Sequence, residues 1–302
     1  MELRHLKTFV VVAEVRGFTK AAEILGYAQS SVTNQIQTLE EEFEQPLFDR
    51  LGKSVVLTDT GNRLLPYAHE MLRLQANMKQ LVQASEAPSG TLTIGAPESL
   101  AAYRLPAVIK EYKRLYPQVK IILKPGACWE MRSQLRSGQI DFAFTLEPPS
   151  ETADMFTEAL VDEPLVLVTS LDHPLTVKSE VKPTDLQNET LLNTEPGCSY
   201  RGLFEKYLQE HGIEPSVTME FWNIEAIKNC VMSGLGISIL PFITVQTELH
   251  DGKIAALKWD AHNVRVSTLL LCHKAKWISP AVQEFLRLVR QHAETWNQRQ
   301  EH

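Results

Sequence analysis

Cysteine is scarce in this 302-residue chain: Cys128, Cys198, Cys230 and Cys272 are the four present, and their spacing fits neither a disulfide framework nor a zinc site. Long apolar runs are absent too. No stretch reaches the roughly eighteen consecutive apolar residues of a membrane-spanning helix. The N-terminus, Met-Glu-Leu-Arg-His, runs into an amphipathic helix rather than the apolar core of a signal peptide. The expectation is a soluble cytoplasmic protein with no membrane partner. His173, His211, His250, His262 and His273 lack metal-ligand spacing, no serine sits in a nucleophile-elbow motif, and Gly234-Leu235-Gly236 lacks the third glycine of a dinucleotide loop. An enzyme, a bound metal and a cofactor are therefore not expected. Positive charge is not in excess: 30 Lys and Arg stand against 37 Asp and Glu, a net charge of −7.

What is present is concentrated in the first sixty or so residues. Apolar residues recur at Leu6, Phe9, Val10 and Ala13, at Ala21, Ile24 and Leu25, and at Val32, Ile36, Leu39 and Phe43. Each set has helical spacing and buries one stripe, which predicts helices over Leu3–Val15, Thr19–Leu25 and Gln29–Phe43. Gly26-Tyr27-Ala28 leaves room only for a tight turn. Three small helices with such a turn form a helix-turn-helix arrangement, whose later helix enters the DNA major groove. Its outward residues Gln29, Ser30, Ser31, Thr33, Asn34, Gln35, Gln37 and Thr38 are short or amide hydrogen-bonders suited to base edges and phosphates. Residues 1–87 hold nine Lys and Arg against eleven Asp and Glu. Phosphate contact thus falls to Thr19, Lys20, Arg50, Lys53, Arg63 and backbone amides. Leu47–Leu51 and Ser54–Leu57 read as two strands around Gly52-Lys53, a wing whose basic tip reaches the minor groove or backbone.

Thr58 to Glu86 reads as one helix, capped by Asp59 or Thr60, with an apolar seam from Leu64 to Leu81. A helix of about 27 residues spans roughly 40 Å, too long for a small winged domain to bury alone. The expected partner is the same helix of a second subunit. From Thr91 the period changes to alternating strands and helices. Strands are expected over Leu92–Gly95, Val119–Leu123 and Ile140–Leu146, with helices over Ala101–Tyr116 and Glu130–Ser137. A second set runs from Leu165 to Leu240, and Arg265–His273 and Pro280–Glu294 close the chain. This is the signature of a parallel sheet covered by helices.

Several segments together resemble the LysR-type transcriptional regulators. They are Phe18-Thr19-Lys20-Ala21-Ala22-Glu23, Gln29-Ser30-Ser31-Val32-Thr33-Asn34-Gln35-Ile36, Leu39-Glu40-Glu41-Glu42, and Pro46-Leu47-Phe48-Asp49-Arg50 with Leu57-Thr58 and Gly61. Gly95 and Gly234-Leu235-Gly236-Ile237-Ser238-Ile239-Leu240-Pro241 look like landmarks of the same family, so the likeness covers the whole chain. Asn34 stands where the family pattern has arginine, and Ser30 where it has proline. The resemblance implies a winged helix-turn-helix at 1–58, a dimerising linker helix at 59–87, and an α/β effector domain at 91–302, similar to periplasmic binding proteins. Lobe I would comprise about 91–161 and 266–302, and lobe II about 162–265. It further implies promoter DNA, a small effector, a homodimer or dimer-of-dimers homotetramer, and RNA polymerase as partners.

Ligands of open α/β sheets bind beyond the carboxyl ends of strands, where helix N-termini point. Three loops qualify: Ala96-Pro97-Glu98-Ser99, with Leu100 following; Pro125-Gly126-Ala127-Cys128-Trp129; and Glu195-Pro196-Gly197-Cys198-Ser199-Tyr200-Arg201. Thr145, closing the third strand, faces the same cleft. Ser99 and Ser199 can also be plain helix caps. Helix N-termini and a free Arg201 favour a small anion, with Trp129 and Tyr200 as an aromatic wall, while Glu98 and Glu195 argue for a ligand that also bears an amine. The order of expectation is anionic, then zwitterionic, then neutral. Two alternatives stand beside this. The Gly-Cys-x-x-Arg loop is similar to the peroxide-sensing branch of the family, with Cys198 as thiolate. A solute-binding protein would account for the C-terminal two-thirds but not for the helix-turn-helix.

Overall fold

The computed structural model describes residues 2–51, 54–82, 88–150, 152–215, 217–260 and 264–298. The chain divides into two compact units, Met1–Glu86 with Arg136–Gln139, and Ala87–Leu135 with Ile140–His302.

In the first unit α1 (Leu3–Val15), α2 (Phe18–Leu25) and α3 (Gln29–Phe43) precede β1 (Phe48–Leu51), β2 (Ser54–Leu57) and the long α4 (Asp59–Val82). The predicted stripes meet in one core of Leu6, Phe9, Val32, Ile36 and Leu39. The rings of Phe9 and Phe18 lie 5.4 and 6.0 Å from that of Phe48, so the first strand of the hairpin is anchored on the helices. α2 ends on Gly26 at φ 69, a left-handed geometry that turns the chain within three residues into α3. Two expected core residues stay outside: Ile24 is 60% and Phe43 38% exposed. A two-turn helix presses only a narrow stripe inward, here Phe18, Ala21 and Ala22. Thr58, not Asp59 or Thr60, caps α4, accepting from the Gly61 amide at 3.0 Å and donating to Pro46 O at 2.7 Å. On α4, Ala68 is buried and Leu64, Leu65 and Leu72 pack on the core. Tyr67, Met71, Leu74 and Met78 remain exposed.

The second unit runs β3 (Gly90–Ala96), α5 (Glu98–Tyr103), α6 (Leu105–Leu115), β4 (Val119–Pro125), α7 (Cys128–Arg136), β5 (Phe142–Glu147) and β6 (Met155–Glu163). It continues through β7 (Leu165–Thr169), β8 (Thr190–Asn193), α8 (Ser199–Glu210), β9 (Val217–Glu220), α9 (Ile224–Met232), β10 (Ser238–Pro241), α10 (Phe242–His250) and β11 (Ala255–Leu257). β12 (Val266–His273) and α11 (Pro280–Gln298) complete it. Lobe I is a five-stranded sheet ordered β4-β3-β5-β12-β6, and lobe II holds β10-β7-β11 and the pair β8-β9. The expectation of a parallel sheet holds for β3 with β4 and β5, and for β8 with β9. It fails elsewhere: β12 is antiparallel to β5 and β6, and β7 to β10 and β11. The reason is connectivity. The chain leaves lobe I after β6 and re-enters through β12, so β12 runs against the strands it joins.

Glu163 sits at the first crossing with its side chain fully buried. Arg104 grips it through Nε at 2.9 Å and Nη2 at 2.8 Å, and Thr268 Oγ1 donates at 2.8 Å. The Arg104 guanidinium also lies 5.1 Å from the Trp296 ring. A buried charge so fully bonded holds the crossover in one place.

Candidate DNA-reading helix and effector cleft

Val32, Ile36 and Leu39 are fully buried, so α3 is held from below and its opposite face is presented outward. Gln29, Ser30, Ser31, Asn34 and Gln37 are exposed there, and Thr19 and Lys20 are exposed at the start of α2. Thr33 is half-buried, its hydroxyl 3.4 Å from Gln29 Nε2. Gln35 departs from expectation. Its Oε1 accepts from the Thr8 hydroxyl at 2.6 Å, because its position places it toward α1; it ties α1 to α3 instead of facing bases. Glu40 is also structural, accepting from the amides of Leu47 and Phe48 at 2.8 and 3.2 Å and locking the end of α3 to the first strand. Arg50 is exposed with its guanidinium 4.6 Å from the Phe18 ring centroid, which fixes its direction. The wing tip with Lys53 lies outside the described residues.

In the second unit the three expected loops do lie at strand ends leading into α5, α7 and α8. Glu98 opens α5 and reaches across to lobe II, where its carboxylate accepts from Asn223 Nδ2 at 3.0 Å and from the Ile224 amide at 3.1 Å. It thereby occupies the N-terminus of α9, where an anion is most stable. Burial pushes the Glu98 carboxyl up, the Ile224 amide pulls it back, and Glu195 and Glu225 raise it further. A second tie runs beside it. The Tyr103 hydroxyl donates to Glu225 Oε1, while Lys228 Nζ reaches Tyr103 Oη at 3.1 Å, Glu225 at 2.6 Å and Glu248 at 2.7 Å. Burial and then Glu225 push Tyr103 up to about 12. Burial lowers the Lys228 pKa, but its bonds to Glu225 and Glu248 outweigh that and raise it.

Ser99 is buried, and Leu100 is wholly core, a framework residue rather than a ligand contact. Cys128 opens α7 with Sγ 3.4 Å from the Leu146 amide; burial drives its thiol up to about 12, and the Ser199 hydroxyl is a further hydrogen-bond partner. Trp129 is 61% exposed and covers Gly197. Gly197 has φ 85, and a Cβ there would meet the indole nitrogen at 2.9 Å. The Thr145 hydroxyl is buried with no partner of its own. Tyr200 is buried, so of the two expected aromatic residues only Trp129 is exposed. Arg201 is not the free charge expected: it pairs with Glu205 at 2.7 Å and Glu220 at 3.0 Å and donates to the Thr194 carbonyl. Cys198 is not favoured as a thiolate either. Burial raises its pKa, outweighing hydrogen bonds from Thr194 and the Arg201 amide. This speaks against the redox reading, which rests on a charged sulfur at Cys198.

Tyr103, Asn223, Glu225 and Lys228 were not foreseen as cleft residues. Asn223 alone carried a local signal, since it caps α9 by accepting from the Ala226 amide at 2.9 Å. The Tyr103–Glu225 bond joins residues 122 positions apart, which no local pattern reveals.

An outward-facing polar helix on one unit and a two-lobed α/β domain on the other are the architecture of a ligand-responsive DNA-binding protein. The model of bacterial regulatory helix-turn-helix proteins of the lysR family matches residues 3–62, and that of the LysR substrate binding domain matches residues 85–294. YwqM, an uncharacterized HTH-type transcriptional regulator of Bacillus subtilis (strain 168), is 45% identical over 291 residues, covering 96% of this chain and 99% of the relative. A full-length OxyR from Pseudomonas aeruginosa superposes with TM-score 0.75 at 25% identity, covering 97% of this chain and 95% of that one. The CcmR regulatory domain of Synechocystis PCC6803, in complex with 2-PG, has TM-score 0.63 at 25% identity, covering 69% of this chain and all of that one. The chain belongs to the LysR family of transcriptional regulators. Among the described residues no helix is long and apolar enough to cross a membrane.

Proposed function

We propose that this regulator binds promoter DNA through the exposed face of α3 and is switched by a small carboxylate that also carries an amine. Residues 1–58 act as the DNA-binding domain, 59–87 as the dimerising linker and 91–302 as the effector domain, in the cytoplasm. The exposed apolar residues of α4 supply the subunit contact, and two such pairs make the tetramer. RNA polymerase is the partner through which the DNA-bound assembly acts on transcription.

The observation that carries the effector class is the use of charge around the cleft. Arg201 is spent on Glu205 and Glu220, and Glu98 already fills the N-terminus of α9. Glu130 likewise accepts from the Ala127 amide ahead of α7 at 2.9 Å, which leaves the start of α8 for a carboxylate, the unpartnered Thr145 hydroxyl for one hydrogen bond, and Glu98 with Glu195 for an ammonium group. The amphoteric acid, second in the expectation from sequence, thus moves ahead of the plain anion. The ligand held by the CcmR regulatory domain supports an effector site in this domain. A ligand that touches Glu98 changes the tie between lobes and so the placement of the DNA-binding domains.

Calorimetry with amino acids, simple carboxylates and neutral analogues tests this. Amino acids should bind, and Thr145→Val and Ser99→Ala should weaken them. Binding confined to neutral or purely cationic compounds, or unaltered by both variants, contradicts it.

A further inference from the structure

Away from the cleft, on lobe I, a groove of about 540 Å³ lies beside the start of the edge strand β6, between β12 and α11. That volume is in the range of small-molecule sites. Its apolar part is Phe156, Ile278 and Leu286; the first two are 47% and 38% exposed and lie side by side in the lining, an apolar wall open to solvent. Its polar part is basic: Lys274 and Arg290 line it beside His273, and among the described residues no carboxylate does.

The hydrogen bonds show which donors face a ligand. Glu158 holds Arg290 by Nε at 2.9 Å and Nη2 at 2.7 Å, fixing the guanidinium plane and leaving its Nη1 end. Lys274 Nζ donates one hydrogen to the Ala153 carbonyl at 2.9 Å and has no further acceptor among the described residues. His273 Nδ1 accepts from the Ala275 amide at 3.2 Å, so the ring's proton sits on Nε2 as a donor. Cys272 beneath is buried with its thiol pushed up to about 11, so it serves as apolar floor and not as a nucleophile.

We infer that this groove is a second ligand site, taking a small monocarboxylate with an apolar tail, its ring or chain on Phe156 and Ile278 and its carboxylate between Lys274 and Arg290. The occupant differs from the cleft ligand in needing no amine. The site stands whether or not the cleft reading does.

The test is calorimetry on the full chain with phenylacetate and octanoate, each beside its neutral amide. Both acids should bind at one site per chain and the amides at least tenfold more weakly. Lys274→Gln and Phe156→Ala, two surface changes, should each weaken phenylacetate about tenfold, while Thr145→Val in the cleft leaves it unchanged. Equal binding of acid and amide, or loss with Thr145→Val but not with the groove variants, overturns the proposal. So does an absence of binding by both acids.

Discussion

Gly197 is where one side chain's absence shapes the cleft. Its φ of 85 and the Trp129 indole nitrogen, 2.9 Å from where a Cβ would be, both exclude a side chain. Gly197→Ala should cost at least the roughly 1–2 kcal/mol of a left-handed L-residue, and should shift Trp129 fluorescence as the indole is displaced. An unchanged urea midpoint together with an unchanged spectrum would contradict this packing. Glu98 gives a pH signature. Its folded pKa is raised, so the native state binds the proton more readily than the unfolded chain with its value near 4.5. Stability from this group is therefore full below 4.5 and declines as pH rises through the folded pKa. Glu98→Gln, always neutral, should gain on the parent toward neutral pH, and the gap in melting temperature should close near pH 4.5. A gap that is constant with pH would show that burial does not burden the carboxylate.

At the scale of elements, the bonds that join them are more telling than their bounds. The buried Arg104–Glu163 pair ties α6's start to the lobe crossing, and Arg104→Ala should destabilise the effector unit by about 3–5 kcal/mol by stranding a buried carboxylate; a loss below 1 kcal/mol in chemical denaturation would refute that. Helices of the first unit were legible in sequence because each buries one stripe of regular period: Val32, Ile36 and Leu39 mark α3 directly. β6 was not legible, since Glu158, Asp162 and Glu163 interrupt its apolar residues and only pairing with β12 makes it a strand. The three cleft loops could be found from the strand-to-helix transitions. What their side chains do could not, because Arg201 is claimed by Glu220 of β9, 19 positions on, and Glu98 by a helix over 120 residues away.

For the whole molecule the account requires assembly and DNA reading together. Tyr67, Met71, Leu74 and Met78 leave an apolar face on α4 that, on the proposed reading, a second copy would cover, so light scattering at micromolar concentration should give a dimer or tetramer, and Met78→Glu with Leu74→Glu should lower the mass. A monomeric parent would remove this part of the account. The central claim is that α3 reads sequence. It is tested most directly by selecting duplexes from a random pool with the full chain and with the Gln29→Ala, Thr33→Ala, Asn34→Ala variant. The parent should enrich paired half-sites separated by whole helical turns, each lost base contact costing about 1–3 kcal/mol of discrimination. The variant should retain salt-sensitive binding without an enriched motif. The same motif enriched by both proteins would contradict the claim.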